Sequence, residues 1–570
     1  MYYRIKFIYI FTYVGFILLT FRFFYWQIIR SDELSAMVRP QYERNVVESA
    51  GRGRIFTENG SILVGRADSW NLFAEPKRID HPKETSSMLA ELLAQDADDR
   101  KTITEEGFRI HSLISESDKS WVPIKKRVTT EIKNRIDEKE LAGIGFDKDE
   151  VRKYPEASMA AHLIGFLGKD QDDRNVGYFG LEGYYNETLT SSSGIYKAET
   201  DVKGSPILFG ISKKSLSFSG ADLNTYIDRG IQLIVENELR KGVEKYGALS
   251  GSVVVMNPKN GGILAMSSYP TYDPETYWEY SNELFLNPVI SASFEPGSVF
   301  KVVTMAAALD LGVIEPETRC DACSGPLAVG EYQIHTWNDQ YFPNSTMTDV
   351  IVHSDNVGMS YVAKKLGIEK NLEYLEKFGI GKRSEIDLQG EINPVLRSLK
   401  NWSEVDLVTS SFGQGIAVTP IQLISAINVI ANNGLFVKPS VVKEFAIGDK
   451  IYMSNNKDQG IRIISEKASQ EVRLMMVEAA KYGESKWTYK QGFGVAGKTG
   501  TAQIPIAGHY DDEKTVASFI GFAPHYDPKF IMLVTLREPQ SSPWASETAA
   551  PMWYKIAEKL FLHFGIIPEK

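Results

Sequence analysis

The chain has 570 residues, 43% hydrophobic and 24% charged, with a net charge of −10 and two cysteines. That length allows for roughly two to four domains with sizeable cores. The composition excludes a disordered chain and a polytopic membrane protein, the acidic balance without a basic tract excludes a nucleic-acid binder, and two cysteines exclude a disulfide-built scaffold.

Residues 7–29 are almost wholly apolar and aromatic, broken by Arg22 and Gln27. Roughly 20 residues cross a bilayer core, so this stretch is long enough for one span. Arg4 and Lys6 precede it and favour an inside N-terminus, leaving residues 1–6 as a short cytoplasmic tail. Arg22 falls toward the outer end, where its stem can snorkel beside Tyr25 and Trp26. A cleaved signal peptide is the rival reading, but the apolar stretch is long for one and no small-x-small site follows. The expectation is a single-pass anchor in the cytoplasmic membrane with the remainder on its outer face.

Residues 31–225 are rich in charge, with runs such as Asp96-Ala97-Asp98-Asp99-Arg100 and Lys125-Lys126-Arg127. Residues 52–64 read as strand, Asn59-Gly60 turn, strand. Residues 84–93 and 130–140 have helical periodicity. The acidic loop at 168–176 has no evident role, and no cluster here looks catalytic. An elongated α+β module, serving as stalk or docking surface, is expected.

From Ser250 onward the pattern is that of a compact α+β domain. Residues 253–256 and 263–266 form a hairpin across Asn257-Pro258 and Asn260-Gly261-Gly262. Three further strands are predicted at 494–498, 517–522 and 530–536, and helices at 421–432, 465–480 and 549–562. The architecture implied is a five-stranded antiparallel sheet packed with helices.

Between the second and third of those strands lies Pro296-Gly297-Ser298-Val299-Phe300-Lys301, opening an apolar helical run at 302–311. One helical turn brings Ser298 Oγ and Lys301 Nζ to a common face. A neutral lysine there can take the serine's proton, and the helix N-terminus frees the Ser298 N–H for an oxyanion. Alone the pattern is weak: Ser454-Asn455-Asn456-Lys457 matches it in a polar loop. It gains force from Ser354-Asp355-Asn356 and Lys498-Thr499-Gly500-Thr501, which follow in the order that Ser-x-x-Lys, Ser-x-Asn and Lys-Thr-Gly take in serine acyltransferases. Cys320-Asp321-Ala322-Cys323 reads as a short disulfide, as two loop thiols, or as half a zinc site. His353 adjoins Ser354, and Trp337 could rim a cleft or merely pack.

With that trio in place the chain resembles a class B penicillin-binding protein, a peptidoglycan D,D-transpeptidase. The likeness runs over nearly the whole length: residues 52–63, Arg152-Lys153-Tyr154-Pro155 and residues 177–186 resemble the motifs of the family's non-catalytic pedestal, or dimerisation domain. Asn224-Thr225-Tyr226-Ile227-Asp228 resembles the entry to its transpeptidase domain, and Ser411-Phe412-Gly413-Gln414-Gly415 with Thr419-Pro420-Ile421-Gln422 is also family-like. The resemblance implies a pedestal over 31–225 and a transpeptidase domain over 226–570. It implies a monofunctional enzyme that works with a separate polytopic SEDS-type glycosyltransferase and needs neither cofactor nor metal. Residues 161–166 resemble the division branch and imply divisome partners, although elongation enzymes share most of these motifs.

Carried over residue by residue, Ser298 is the nucleophile toward D-Ala-D-Ala stem peptides and β-lactams, and Lys301 its base. Ser354 relays protons and Asn356 holds the substrate amide, while Asp355 fixes its loop. Lys498 supplies charge to a C-terminal carboxylate, the Thr499 and Thr501 hydroxyls donate to it, and Gly500 permits close approach. Thr501 N–H completes the oxyanion hole with Ser298 N–H. Two rivals stand beside this: a β-lactamase or D,D-carboxypeptidase, with Glu391 as the water-activating carboxylate, and a non-enzymatic β-lactam sensor.

Overall fold

The computed structural model describes residues 1–48, 51–94, 99–115, 119–192, 194–200, 206–214, 218–453, 460–506 and 509–569. The look-alike at 454–457 and part of the acidic run at 96–100 lie outside them. Two compact units are present, Met1–Arg52 with Thr190–Gly220, and Gly53–Leu189 with Ala221–Lys570.

In the first unit, Tyr2–Phe24 is α-helical and continues through a π-type turn, Tyr25–Ile29, to give an apolar helix of 28 residues with none of its span buried. The helix starts before the expected span at residue 7, since nothing in residues 2–6 breaks it. At its far end the Arg30 guanidinium lies 5.2 Å over the Trp26 ring and Nε donates to Glu33 Oε2 at 2.8 Å. An apolar surface with an aromatic and cationic end suits a bilayer span. Helix Ser31–Tyr42 follows, and strand Glu43–Glu48 joins Gly194–Thr200 and Pro206–Lys214 in an antiparallel sheet.

In the second unit, the expected strand, turn and strand appear as Ile55–Phe56, the Asn59-Gly60 turn and the long strand Ile62–Ala74. Val122–Thr129 and Ile144–Lys153 flank the latter, and helices Pro82–Leu93 and Arg100–Ile114 cover it with Leu89, Leu93, Ile110 and Ile114. The helix expected at 130–140 ends at Asp137, before Glu140, whose φ of 45° is not helical. The acidic loop is a self-contained turn between Phe166–Lys169 and Asn175–Tyr178. Asp170 accepts from the N–H groups of Asp172 and Arg174 and from Arg174 Nε, all at 2.9 Å.

The three pedestal motifs meet at one buried ion pair. Arg152 Nε donates to Glu182 Oε1 and Nη1 to the Gly53 carbonyl oxygen, both at 2.6 Å, with side-chain exposures of 5% and 0% for Arg152 and Glu182. Such a pair adds little net stability while intact, but removing one partner strands a buried charge. Glu182→Gln should therefore cost about 3–5 kcal/mol in urea denaturation of the full chain; a cost below about 1 kcal/mol would deny the pair this role.

The strand that ends at the expected boundary, 225/226, pairs with strands from both sides of it. Asp222–Thr225 pairs parallel with Ile55–Phe56 and antiparallel with Val442–Ile447, so one seven-stranded sheet draws on both sides of it. Arg54 Nη2 holds Asp222 at 2.7 Å. The buried Asp387 carboxylate accepts from the Val441 and Val442 N–H groups at 2.6 and 2.8 Å and from the Tyr185 hydroxyl at 3.0 Å. Of the expected pedestal, residues 53–189 and 221–225 fall in one compact unit with the C-terminal residues, and residues 31–52 and 190–220 in the other.

The five predicted strands form an antiparallel sheet in the order Ile263–Tyr269, Ser250–Met256, Phe530–Arg537, His509–Ala523 and Ala496–Ile506. Alternate side chains serve two cores. Val253 and Val255 pack with helices Arg229–Tyr246 and Ala549–His563, whereas Val254 and Met256 pack with Lys301–Asp310, Pro420–Ala431 and Glu466–Tyr482. Cys320 and Cys323 form a disulfide in the second core, which decides among the three readings of that pair.

Candidate active site

The Ser298–Lys301 segment is not the opening of a regular α-helix. Gly297–Phe300 is a 3₁₀ turn, and the α-helix begins at Lys301. In a 3₁₀ turn residues i and i+3 eclipse, so the common face is kept. Pro296 and Gly297 wedge this turn against the edge strand. A Cβ on Gly500 would lie 2.4 Å from Val299 Cγ2, and one on Gly297, at φ +58, would lie 2.9 Å from the Thr501 carbonyl oxygen. Both positions therefore demand glycine, and the two backbones are in contact. Gly297 N–H also donates to the Gly413 carbonyl oxygen at 3.1 Å, and Gly415 N–H to Glu295 Oε1 at 3.1 Å, which gives the residue 411–415 motif its place behind the turn.

Lys301 is fully buried at the centre. Its Nζ donates to the Ser354 carbonyl oxygen and to Asn356 Oδ1 at 2.8 Å, and lies 3.2 Å from Ser354 Oγ. Lys498 Nζ reaches the same Ser354 Oγ at 3.0 Å from the other side. Burial, then the charge of Lys498, bring the Lys301 pKa down to about 7, against the opposing pull of Glu484 and Asp355. Burial likewise lowers Lys498, opposed by Glu484. Among the described residues nothing hydrogen-bonds the Ser298 hydroxyl, which is half-exposed at the cleft.

Ser354 takes a left-handed φ of +56°, an uncommon conformation for a residue with a side chain, and Asp355 holds the turn by capping helix Asn356–Leu366 through the Val357 and Gly358 N–H groups at 2.8 and 3.1 Å. Asp355 thus points inward, as expected. Asn356 Nδ2 donates to the His335 carbonyl oxygen at 3.0 Å, which fixes Oδ1 toward Lys301. Thr501 Oγ1 accepts from Ala545 N–H at 3.0 Å and keeps its own proton free to give. Thr499 differs from expectation: its hydroxyl donates to Glu484 Oε2 at 2.8 Å and accepts from Lys498 at 3.2 Å, so that proton is not free for a substrate carboxylate.

Other candidates fall away from the chemistry. His353 stacks flat on Phe342, centroids 3.9 Å apart. Glu391 is consumed by its own turn, accepting from Ser384 N–H and Oγ at 2.6 Å and from Glu385 N–H at 3.1 Å. Trp337 packs at 5.3 Å on Trp544, whose neighbour Ala545 donates to Thr501. Glu484 is the one site residue that the sequence did not single out; a glutamate after a helix end, within no motif, carries no signal until the fold sets it beside Thr499.

The chain is similar to known proteins along its length. Residues 251–558 match the family described as Penicillin binding protein transpeptidase domain, and residues 47–225 the Penicillin-binding Protein dimerisation domain. Stage V sporulation protein D of Bacillus subtilis is 30% identical over 100% of this chain and 86% of its own length. Probable peptidoglycan D,D-transpeptidase PenA of Neisseria gonorrhoeae is 29% identical over 100% and 94%. Among solved structures, Penicillin Binding Protein 2X from Streptococcus thermophilus superposes with a TM-score of 0.76 at 23% identity, covering 92% of this chain and 81% of that one. Penicillin binding protein 3 from Mycobacterium tuberculosis, complexed with aztreonam, gives 0.69 at 24%, covering 92% and 98%.

Proposed function

The chain belongs to the class B penicillin-binding proteins and is a peptidoglycan D,D-transpeptidase, and from that premise we propose how its residues carry the reaction and where it works. A neutral Lys301 amine has two N–H bonds and one lone pair. The Ser354 carbonyl and Asn356 Oδ1 can only accept, so they take the two N–H bonds, and the lone pair remains for a hydroxyl proton. Ser298 Oγ attacks the carbonyl of the penultimate D-Ala and passes its proton to Lys301 Nζ. The oxyanion rests on the Ser298 and Thr501 N–H groups, whose backbones the glycines bring together. The C–N bond then breaks, and the terminal D-Ala leaves as an amine with a proton handed from Lys301 through Ser354. An amine of a second stem peptide attacks the ester, returns its proton by the same route and frees Ser298. Lys498 and the Thr501 hydroxyl hold the substrate carboxylate, and Asn356 its amide.

The observation that carries this reading is the Ser354 hydroxyl between two buried lysine amines, at 3.2 and 3.0 Å. Its test is exchange of a labelled D-amino acid into a stem pentapeptide by the full chain in detergent. Exchange that is lost in Ser298→Ala is expected. Release of D-Ala without exchange would make the protein a carboxypeptidase, and the absence of both reactions would overturn the proposal.

We further propose that residues 7–29 anchor the chain once in the cytoplasmic membrane, with residues 1–6 inside and the catalytic domain outside, beside a SEDS-type glycosyltransferase and divisome proteins at the division septum. The unburied apolar helix Tyr2–Ile29, the preceding Arg4 and Lys6, and the division-like residues 161–166 support it. Protease added to intact spheroplasts should digest the large domain, and complete protection would reverse the orientation.

A further inference from the structure

Two lysines with different duties share one buried site. Lys301 must be neutral to accept a proton, and Lys498 must be charged to hold a carboxylate, yet each is desolvated and each repels the other. Something must assign the charge. Asp355 raises the pKa of Lys301, and its Oδ1 is spent on capping a helix. Among the described residues Glu484 is the single carboxylate that opposes the desolvation of Lys498. It does so through a bridge: the one Thr499 proton goes to Glu484 Oε2, which turns the hydroxyl oxygen's lone pair toward Lys498 Nζ. A neutral side chain at 484 would leave Lys498 without that counter-charge, even where its oxygen still accepts from Thr499.

We infer that Glu484 is a positioning residue, which through Thr499 keeps Lys498 charged and aimed at Ser354 and so sets the pH window in which Ser298 is acylated. The inference rests on the reading of the Ser298 site given above. The groups that face this cluster are Lys301, Lys498, Asp355 and Glu484. Glu484 favours the protonated form of both lysines, so neutralising it favours the unprotonated form of both. Lys301 then becomes a competent base at lower pH, and Lys498 loses its charge at lower pH. Both limbs of the acylation profile move the same way.

The experiment is the second-order rate of acylation of the full chain by penicillin across pH, in wild type, Glu484→Gln, Glu484→Thr and Glu484→Asp, with melting curves in parallel. The expected result is a bell whose acid and alkaline limbs both move to lower pH in the two neutral variants and stay near wild type in Glu484→Asp. Two neutral variants guard against one failing to fold. A lower rate with unmoved limbs would reduce Glu484 to packing and overturn the inference. So would limbs that move equally in Glu484→Asp, because charge would then not be the cause. A wild type that is not acylated at any pH would instead overturn the transpeptidase reading beneath it.

Discussion

Mixed with penicillin, the full chain in detergent is expected to gain the mass of one intact drug molecule and to keep it for many minutes. A β-lactam sets a strained amide beside a carboxylate, the arrangement of acyl-D-Ala-D-Ala. On the proposed mechanism Ser298 opens the ring, the Thr501 and Ser298 amides hold the oxyanion, and Lys498 holds the carboxylate. No amine leaves, because the ring nitrogen stays tethered, so the ester can be lost only to water. Fast hydrolysis needs a base to activate that water. The carboxylate best placed in sequence for it, Glu391, has both oxygens occupied by Ser384 and Glu385. Intact-protein mass spectrometry over time on wild type, Ser298→Ala and Glu391→Gln separates the cases. The adduct should vanish only in Ser298→Ala. An adduct lost within seconds in wild type, yet accumulating in Glu391→Gln, would identify a β-lactamase.

Lys301→Ala should slow that acylation by about 10²–10⁴-fold, the usual contribution of a positioned general base. Lys301→Arg should not restore it, because a guanidinium does not give up its proton near neutrality. The pH dependence follows in sign from a base brought down to about 7: the wild-type rate falls as pH drops through that value and Lys301 takes up a proton. In Lys301→Ala that limb should disappear along with the rate. Lys498→Ala should behave differently. It removes a cation that disfavours the charged form of Lys301, so the acid limb moves to higher pH, and carboxylate binding weakens. Wild-type rates in Lys301→Ala would remove the lysine from the mechanism.

The candidate site was legible because short motifs carry it and their order survives in the chain: Lys301, Ser354, Asn356 and Lys498 converge on shared hydrogen bonds, with Ser298 one turn before Lys301. The sheet was legible because strands such as 530–536 are continuous apolar runs. What stayed hidden depends on pairs distant in sequence. Nothing in Glu484 announces that a strand edge will carry Thr499 to it. The partner of Thr499 is hidden for the same reason, since its one hydroxyl proton goes to a carboxylate that only the fold brings near. The 3₁₀ turn at Gly297–Phe300 follows from the close approach of the Thr501 backbone, which local periodicity does not encode.

The sheet that runs through Ile55–Phe56, Asp222–Thr225 and Val442–Ile447 constrains the order in which the protein can be completed. A chain made from its N-terminus offers Ile55–Phe56 first and its parallel neighbour much later, and the sheet closes only once residues 442–447 have arrived. Ile55–Phe56 shows an open edge until Asp222–Thr225 arrives, and Asp222–Thr225 shows one until Val442–Ile447 arrives, the kind of surface on which unfinished chains associate. Cutting the gene at the boundary between the two named domains recreates that unfinished state permanently, with Val442–Ile447 stripped of its inner neighbour. The catalytic half inherits a bare edge, and its solubility falls for a reason unrelated to catalysis.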